Sequence, residues 1–340
     1  MITCLVTRAG EDAIRNSAMI VGTAVEPHLE VVRYEDALQR GDWHGGTIIF
    51  TDLERVWNST IPAITDLWRR FENARASVRL LNHPTRSLMR YALLRRLREL
   101  GSNDFDVYRA DEGRMPARFP VFLHGERDHN GPMTGALENP AALDAAILER
   151  SEAGMPANQL LVTEFCDVRD ADGLYRKYGV FVVGDRIVPR HVFFSGGWNV
   201  KDARSDLGNH SEAALIEEER EFVLVNPHEE ELRATFAIAN IEYGRVDYGL
   251  RDGRIQVWEI NTNPLLLSPG LHPGQPRFDR VVALMNERLC EALLALDGAT
   301  DDQPFWIEPV RAKPDVAASA PANRRRNRPG FGWRPRLLRR

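Results

Sequence analysis

Tyr243-Gly-Arg-Val-Asp-Tyr-Gly-Leu-Arg-Asp-Gly-Arg-Ile-Gln-Val-Trp-Glu-Ile-Asn-Thr-Asn-Pro264 is the most informative run in this 340-residue chain. Two segments rich in β-branched and aromatic residues flank Arg251-Asp252-Gly253, which marks a hairpin. Loop length sets what the hairpin presents. A two-residue Asp-Gly loop pairs Leu250 with Ile255 and sends Asp247 and Glu259 to opposite faces, because side chains alternate along a strand. A three-residue loop with Gly253 left-handed puts Asp247, Glu259 and Asn261 on one face, and this is the predicted arrangement. Two carboxylates and an amide oxygen then line a site suited to Mg²⁺, a hard ion that prefers octahedral oxygen ligands and also takes substrate phosphates. The same acids could instead form a solvated sheet face. Asn261 and Pro264 complete the pattern Arg245-x-Asp247…Glu259-x-Asn261-x-x-Pro264 and favour the metal.

That pattern resembles the last metal-binding hairpin of the ATP-grasp superfamily, in the branch containing D-alanine–D-alanine ligases, glutathione synthetases and ribosomal-protein glutamate ligases. The resemblance implies that Asp247, Glu259 and Asn261 hold Mg²⁺, two ions in those families, against the phosphates of ATP. It implies that Arg245 faces an acyl-phosphate. The fold expected is α/β, turning α+β in the nucleotide-binding part. In full, it is an ATP-grasp unit with an N-terminal Rossmann-like domain and a disordered basic C-terminal tail.

The chain is long enough for two or three domains. Hydrophobic residues make up 43% and charged residues 27%, an ordinary globular balance. No apolar run approaches the ~20 residues of a membrane span, and the amino terminus lacks a signal-peptide layout, so a cytoplasmic location is expected. Cys4, Cys166 and Cys290 are far apart, in apolar contexts, and define no metal or disulfide spacing. The net charge of −5 conceals an asymmetry: residues 301–340 hold ten Lys/Arg against four Asp/Glu, or +6, which leaves −11 for the rest.

Three domains and a tail are expected. Residues 1–81 alternate strands (Ile2–Val6, Leu29–Val32, Thr47–Phe50, Val78–Leu81) with a helix at Ile61–Ala74, the pattern of a parallel sheet. The first turn, Thr7-Arg8-Ala9-Gly10, lacks a dinucleotide fingerprint. Residues 82–192 form the nucleotide-binding subdomain with its leading helix, 193–298 the metal-binding subdomain, and 299–340 the disordered tail. Residues 211–232 carry eight Glu, expected on solvated helix faces. Arg324 to Arg340 holds eight arginines and no acid, a composition able to contact an anionic partner through charge alone.

The resemblance nominates further residues. Arg86–Leu100 is an amphipathic helix ending at Gly101, and Arg90 sits where the ligases place a phosphate-binding Lys. His124, ending the strand Phe119-Pro-Val-Phe-Leu-His124, takes the position of a second such Lys. The loop Gly125–Gly131 follows, with Arg127 and His129 as candidate phosphate contacts. Glu164, on the strand Leu160–Cys166, matches the acid that reaches the adenine amine; Asp167, Asp170 and Asp172 are alternatives for a ribose acid. On the strands Leu174–Val183 and Arg186–Val192, Arg176 or Lys177 carries a phosphate-facing charge, and Arg190 and His191 are candidates for the substrate carboxylate. Lys201, in a Gly-containing stretch suited to a lid, matches a Lys that closes on the γ-phosphate. The implied activity joins a small-molecule or peptide carboxylate to an amine or thiol, using ATP and Mg²⁺ and releasing ADP and phosphate. The alternative is a nucleotide-binding ATP-grasp protein with lost or kinase-type activity. A homodimer is left open.

Overall fold

The structure is a computed structural model and describes residues 1–15, 23–74, 78–127, 129, 131–200, 204–264, 281–297 and 303–310. Strand β1 (Ile2–Val6) lies between β2 (Leu29–Arg33) and β4 (Gly46–Phe50), with β5 (Val78–Leu81) beyond β4. All four run parallel, as the strand–helix alternation predicts. Helices α1 (Glu11–Arg15), α2 (Tyr34–Ala37) and α3 (Ile61–Glu72) accompany this sheet. α3 buries Ile64, Leu67, Trp68 and Phe71, spaced three and four apart, against Phe50 and Trp43.

The expected disordered tail needs a correction. Strand β14 (Pro304–Trp306) pairs antiparallel with β3 (Asp42–His44), and Ile307 and Val310 are buried in the core around α3. Phe305 packs edge-on to Phe71, and Ile307 N–H donates to Gly41 O at 3.0 Å. Phe305, Ile307 and Val310, three apolar side chains in eight residues, suffice to dock this segment on the first domain. Residues 311–340, with the arginine-rich run, lie outside the described residues.

Helix α4 (Arg90–Glu99) starts four residues later than predicted. Met89 is extended, and Leu88 N–H and Ser87 Oγ donate to Ala239 O and Asn240 O, so residues 86–89 are tied to a neighbouring helix terminus. Arg90 thereby becomes the first helical residue, and Leu93, Leu94 and Leu97 form the buried stripe while Leu100 is exposed. Gly101, at φ +71°, ends the helix in the left-handed conformation that glycine tolerates.

A three-stranded antiparallel sheet follows, in the order β6 (Val107–Arg109), β8 (Leu160–Glu164), β7 (Val121–Gly125), with α5 (Pro140–Glu152) packed on it. The larger sheet has five strands in the order β11 (Arg204–Ser205), β10 (Arg186–Ser195), β9 (Tyr175–Val183), β12 (Tyr243–Arg251), β13 (Arg254–Asn261). The expected border at 192/193 therefore falls inside β10; β9 and β10 share a sheet with the hairpin and not with residues 107–164. Helices α6 (Glu212–Val225), α7 (Glu229–Ala239) and α8 (Ala283–Asp297) pack against this larger sheet. Glu219 departs from the solvated face expected for its run. It shares the inward face of α6 with Leu215 and Phe222, is fully buried, and accepts from Val192 N–H at 3.3 Å.

The hairpin is present, but its extra residue is not in the loop. Arg251 pairs with Arg254 and Leu250 with Ile255 around a two-residue Asp252-Gly253 turn, both residues having positive φ. That register alone would set Asp247 opposite Trp258. A β-bulge intervenes between Asp247 and Tyr248, so that Asp247 pairs with Glu259 and Arg245 with Asn261. The three-residue loop is thus wrong, while the shared face it was meant to provide is real.

Candidate active site

The cleft-facing side of the hairpin carries Arg245 and Asp247 on β12 and Glu259 and Asn261 on β13, with Lys177 on the adjoining β9. Together with Arg90, His124 and Glu164 they line one cleft of about 910 Å³ between the two later sheets and the first domain. Asp247, Glu259, Asn261, Arg245, Arg90, His124, Glu164 and Lys177 therefore share a cavity, with His129 beside them. Lys201, also nominated from the sequence, lies outside the described residues. A second hollow of about 510 Å³, bordered by α4 and Ile238, contains none of them.

The acidic groups in this cleft are held by cations. Arg245 bonds both oxygens of Asp247, at 2.7 and 3.1 Å, and Lys177 Nζ lies 3.8 Å from the same carboxylate. Burial pushes the Asp247 carboxyl up, but these charges and hydrogen bonds outweigh it and hold the group below its ordinary range. Arg90 is 7% exposed; one end of its guanidinium pairs with Glu259 and the other reaches His124 Nδ1 at 2.8 Å and Gly125 O at 2.6 Å. Asn261 Oδ1 accepts from Asn263 N–H at 2.8 Å. Two carboxylates and an amide oxygen on one sheet face fit a hard divalent cation. Among the described residues no three His, Cys, Asp or Glu side chains converge as ligands, so an ion here depends on Asn261 as the third protein donor.

The first domain closes the charged end. Thr262 Oγ1 accepts from Leu53 N–H at 3.0 Å and its hydroxyl donates to Glu54, while Asn263 Nδ2 donates to Gly10 O at 2.9 Å. The close approach at Gly10 is essential: a Cβ there would lie 2.2 Å from Asp52 Oδ2 and 2.5 Å from Asn263 Nδ2. His129 pairs with Glu54 at 3.1 Å and stands 3.7 Å from Glu259. Arg127 reaches the same wall, donating to Val56 O at 2.7 Å and Asn58 Oδ1 at 2.8 Å.

Burial pushes the Glu54 carboxyl up, but the His129 bond and charge, with the Thr262 hydroxyl, pull it down from 4.5 to about 2. A depressed folded-state pKa stabilises the protein above the unfolded value and loses that contribution as pH falls through the folded one. Acid titration of thermal stability is therefore expected to show a loss between pH 4.5 and about 2 that Glu54→Gln flattens.

The other end of the cleft is aromatic. Trp198 packs on Phe122 and Phe165, with ring centroids 5.2 and 5.6 Å away. Trp258, the bulged residue, covers Gly249: a Cβ on Gly249 would come within 2.8 Å of the indole. Sequence reading missed Trp198 and Trp258, because stacking partners leave no spacing pattern. It also missed Gly10, Asn263 and Arg55, which lines the cleft and pairs with Asp52, although the Asn261-Thr-Asn-Pro264 run is unusually polar for a strand end.

Several nominated side chains stand elsewhere. Strand alternation separates Arg176 from Lys177: Lys177 faces the cleft, whereas Arg176 bonds Asp170, Asp172 and Glu218. The Arg176 hydrogen bonds, against the opposing effect of burial, lower the Asp172 pKa to about 2; neither Asp170, Asp172 nor Asp167 lines the cleft. Arg190 and His191 are buried on β10. Arg190 Nη1 contacts Met285 Sδ at 3.4 Å, and His191 stacks on Phe193 in the space left by Gly179. Glu164 borders the cleft, but Arg118, Tyr108 Oη and the N–H groups of Asp106 and Ala117 all donate to its carboxylate, at 3.0 to 3.2 Å. It is 2% exposed, so Glu164→Ala, which strands these donors, is expected to cost about 3 kcal/mol, read as a lower denaturant midpoint.

No family model matches the sequence, and no curated protein matches it. Solved structures do match. D-alanine–D-alanine ligase from Bacillus anthracis, complexed with ATP, aligns with a TM-score of 0.50 and 12% identity over 88% of this chain and 97% of that one. VanG D-Ala:D-Ser ligase from Enterococcus faecalis aligns at 0.47 and 11% identity, over 87% of this chain and 99% of its own. At such identities the likeness concerns the fold.

Proposed function

We propose that this chain, whose fold is that of the ATP-grasp ligases, is an ATP-dependent enzyme joining a substrate carboxylate to an amine or thiol. The observation that carries the reading is the convergence of Asp247, Glu259 and Asn261 with Arg90, Lys177 and Arg245 in one cleft that also has an aromatic end. The aromatic end suits a nucleobase, and Trp258 places such a surface next to the carboxylate that follows it in sequence. Arg90 and Lys177 suit the phosphate chain, the guanidinium by bidentate bonds and the ammonium as a point charge. Asp247, Glu259 and Asn261 would hold Mg²⁺, which would supply neutralisation of charge building on the phosphate oxygens. The substrate carboxylate attacks the γ-phosphorus, giving an acyl-phosphate and ADP. The nucleophile then attacks the acyl carbon and phosphate leaves, with Arg245 stabilising the oxyanion of the tetrahedral intermediate. Closure of the first domain over the charged end excludes water from the acyl-phosphate.

A second reading, nucleotide binding without turnover, is favoured by Arg90 and His124 standing where the resemblance expects lysines. An ADP-release assay with Mg²⁺ over pooled amino acids and small peptides separates the two. Stimulated ADP release is expected; nucleotide binding without release across the panel supports the second reading. Among the described residues no helix is long and apolar enough to cross a membrane. A cytoplasmic location and a contact between the arginine-rich terminus and an anionic partner belong to the same proposal.

A further inference from the structure

We propose that Arg90 makes the acidic end of the cleft selective for a metal–polyphosphate complex over the free metal ion, by occupying Glu259 until a phosphate chain draws it away. This rests on the reading of the cleft as a nucleotide site and adds to it an order of events set by one side chain.

Arg90 is 7% exposed and opens α4, so its position is fixed by the helix and by residues 86–89 tied to the end of α7. Among the described residues its guanidinium meets acceptors of different kinds: the Glu259 carboxylate, His124 Nδ1 at 2.8 Å and Gly125 O at 2.6 Å. A lysine ammonium is a compact charge on a flexible stem, whereas a guanidinium is a planar fork that these acceptors pin in place. Asp247 is held in parallel by Arg245 and Lys177. A free divalent cation approaching the hairpin therefore meets two carboxylates already neutralised, and cations within contact distance of both.

A triphosphate changes the competition. Its oxygens offer a guanidinium the same bidentate geometry as a carboxylate, so Arg90 can exchange Glu259 for phosphate without losing charge-assisted hydrogen bonds. Glu259 is then released to a cation that arrives with the phosphates. Metal and nucleotide affinities become positively coupled, and by linkage the coupling is the same whichever ligand is varied.

The test uses the full chain, Mn²⁺ followed by the loss of its free-ion paramagnetic resonance signal, and the β,γ-imido analogue of ATP. Wild type is expected to take up Mn²⁺ at least about tenfold more tightly with the analogue than without it. Arg90→Met keeps the apolar stem and removes the fork; it is expected to bind Mn²⁺ alone about tenfold more tightly than wild type, and to show reduced coupling. Arg90→Lys, which keeps a charge at the buried position, is expected to fall between them, and it serves if the Met variant does not fold. Equal Mn²⁺ affinity in wild type with and without the analogue overturns the inference, as does a variant that binds Mn²⁺ alone no better than wild type. Failure of the analogue to bind at all, with or without Mn²⁺, removes the nucleotide reading itself and is recognised separately.

Discussion

Replacing Asp247 and Glu259 together by alanine is expected to weaken metal-dependent nucleotide binding by about a hundredfold, or ~2.7 kcal/mol. The two carboxylates are the charged donors of the hairpin face and lie directly opposite each other across β12 and β13. Their loss has a second effect of opposite sign. Arg90, Arg245 and Lys177 lose their carboxylate partners, so affinity for metal-free nucleotide is expected to rise. Calorimetric titration with and without Mg²⁺ reads both. Arg90 is left buried without its counter-charge, an arrangement that costs roughly 3–5 kcal/mol. The Asp247→Asn, Glu259→Gln pair, which keeps shape and hydrogen-bond acceptors, separates loss of the metal donors from loss of fold.

Arg245→Ala should have the largest effect on turnover, about 10²- to 10³-fold, the magnitude typical of removing one donor to a developing oxyanion. Nucleotide affinity should move much less. Arg245 is pinned by Asp247 and pairs across the hairpin with Asn261, so it occupies the same face as the metal donors. Arg245→Lys retains charge without the fork and is expected to recover only part of the loss. The measurement is kcat beside the dissociation constant of the ATP analogue. A parallel fall in both would place Arg245 in ground-state nucleotide binding instead.

The acids of the hairpin, their companion Arg245 and the parallel order of the first sheet were all legible in the sequence, because strand periodicity and turn residues are local properties. The bulge was not. Where it falls, Trp258 lies over Gly249 and Val168 packs beside them, the last a contact from a segment distant in sequence. The shared face was therefore reached by way of the wrong loop. Arg90 and His124 are nominated singly, by the resemblance, while their hydrogen bond to each other, and the engagement of Arg90 with Glu259, require the helix and two strands to be assembled. Glu219 and the 303–310 strand show the same gap from the other side. A charge run hides one inward position, and a composition dominated by Pro, Ala and Arg hides three apolar residues, Phe305, Ile307 and Val310, that complete the first domain's core.

Determining the crystal structure with Mg²⁺ and the β,γ-imido analogue of ATP is the most direct trial of the hairpin as a metal–nucleotide site. The expected result has the phosphates between β13 and the segment after β7, with metal density within bonding distance of Asp247, Glu259 and Asn261. Nucleotide bound elsewhere, or phosphates in the cleft with all three of those oxygens turned away from any metal, would contradict it.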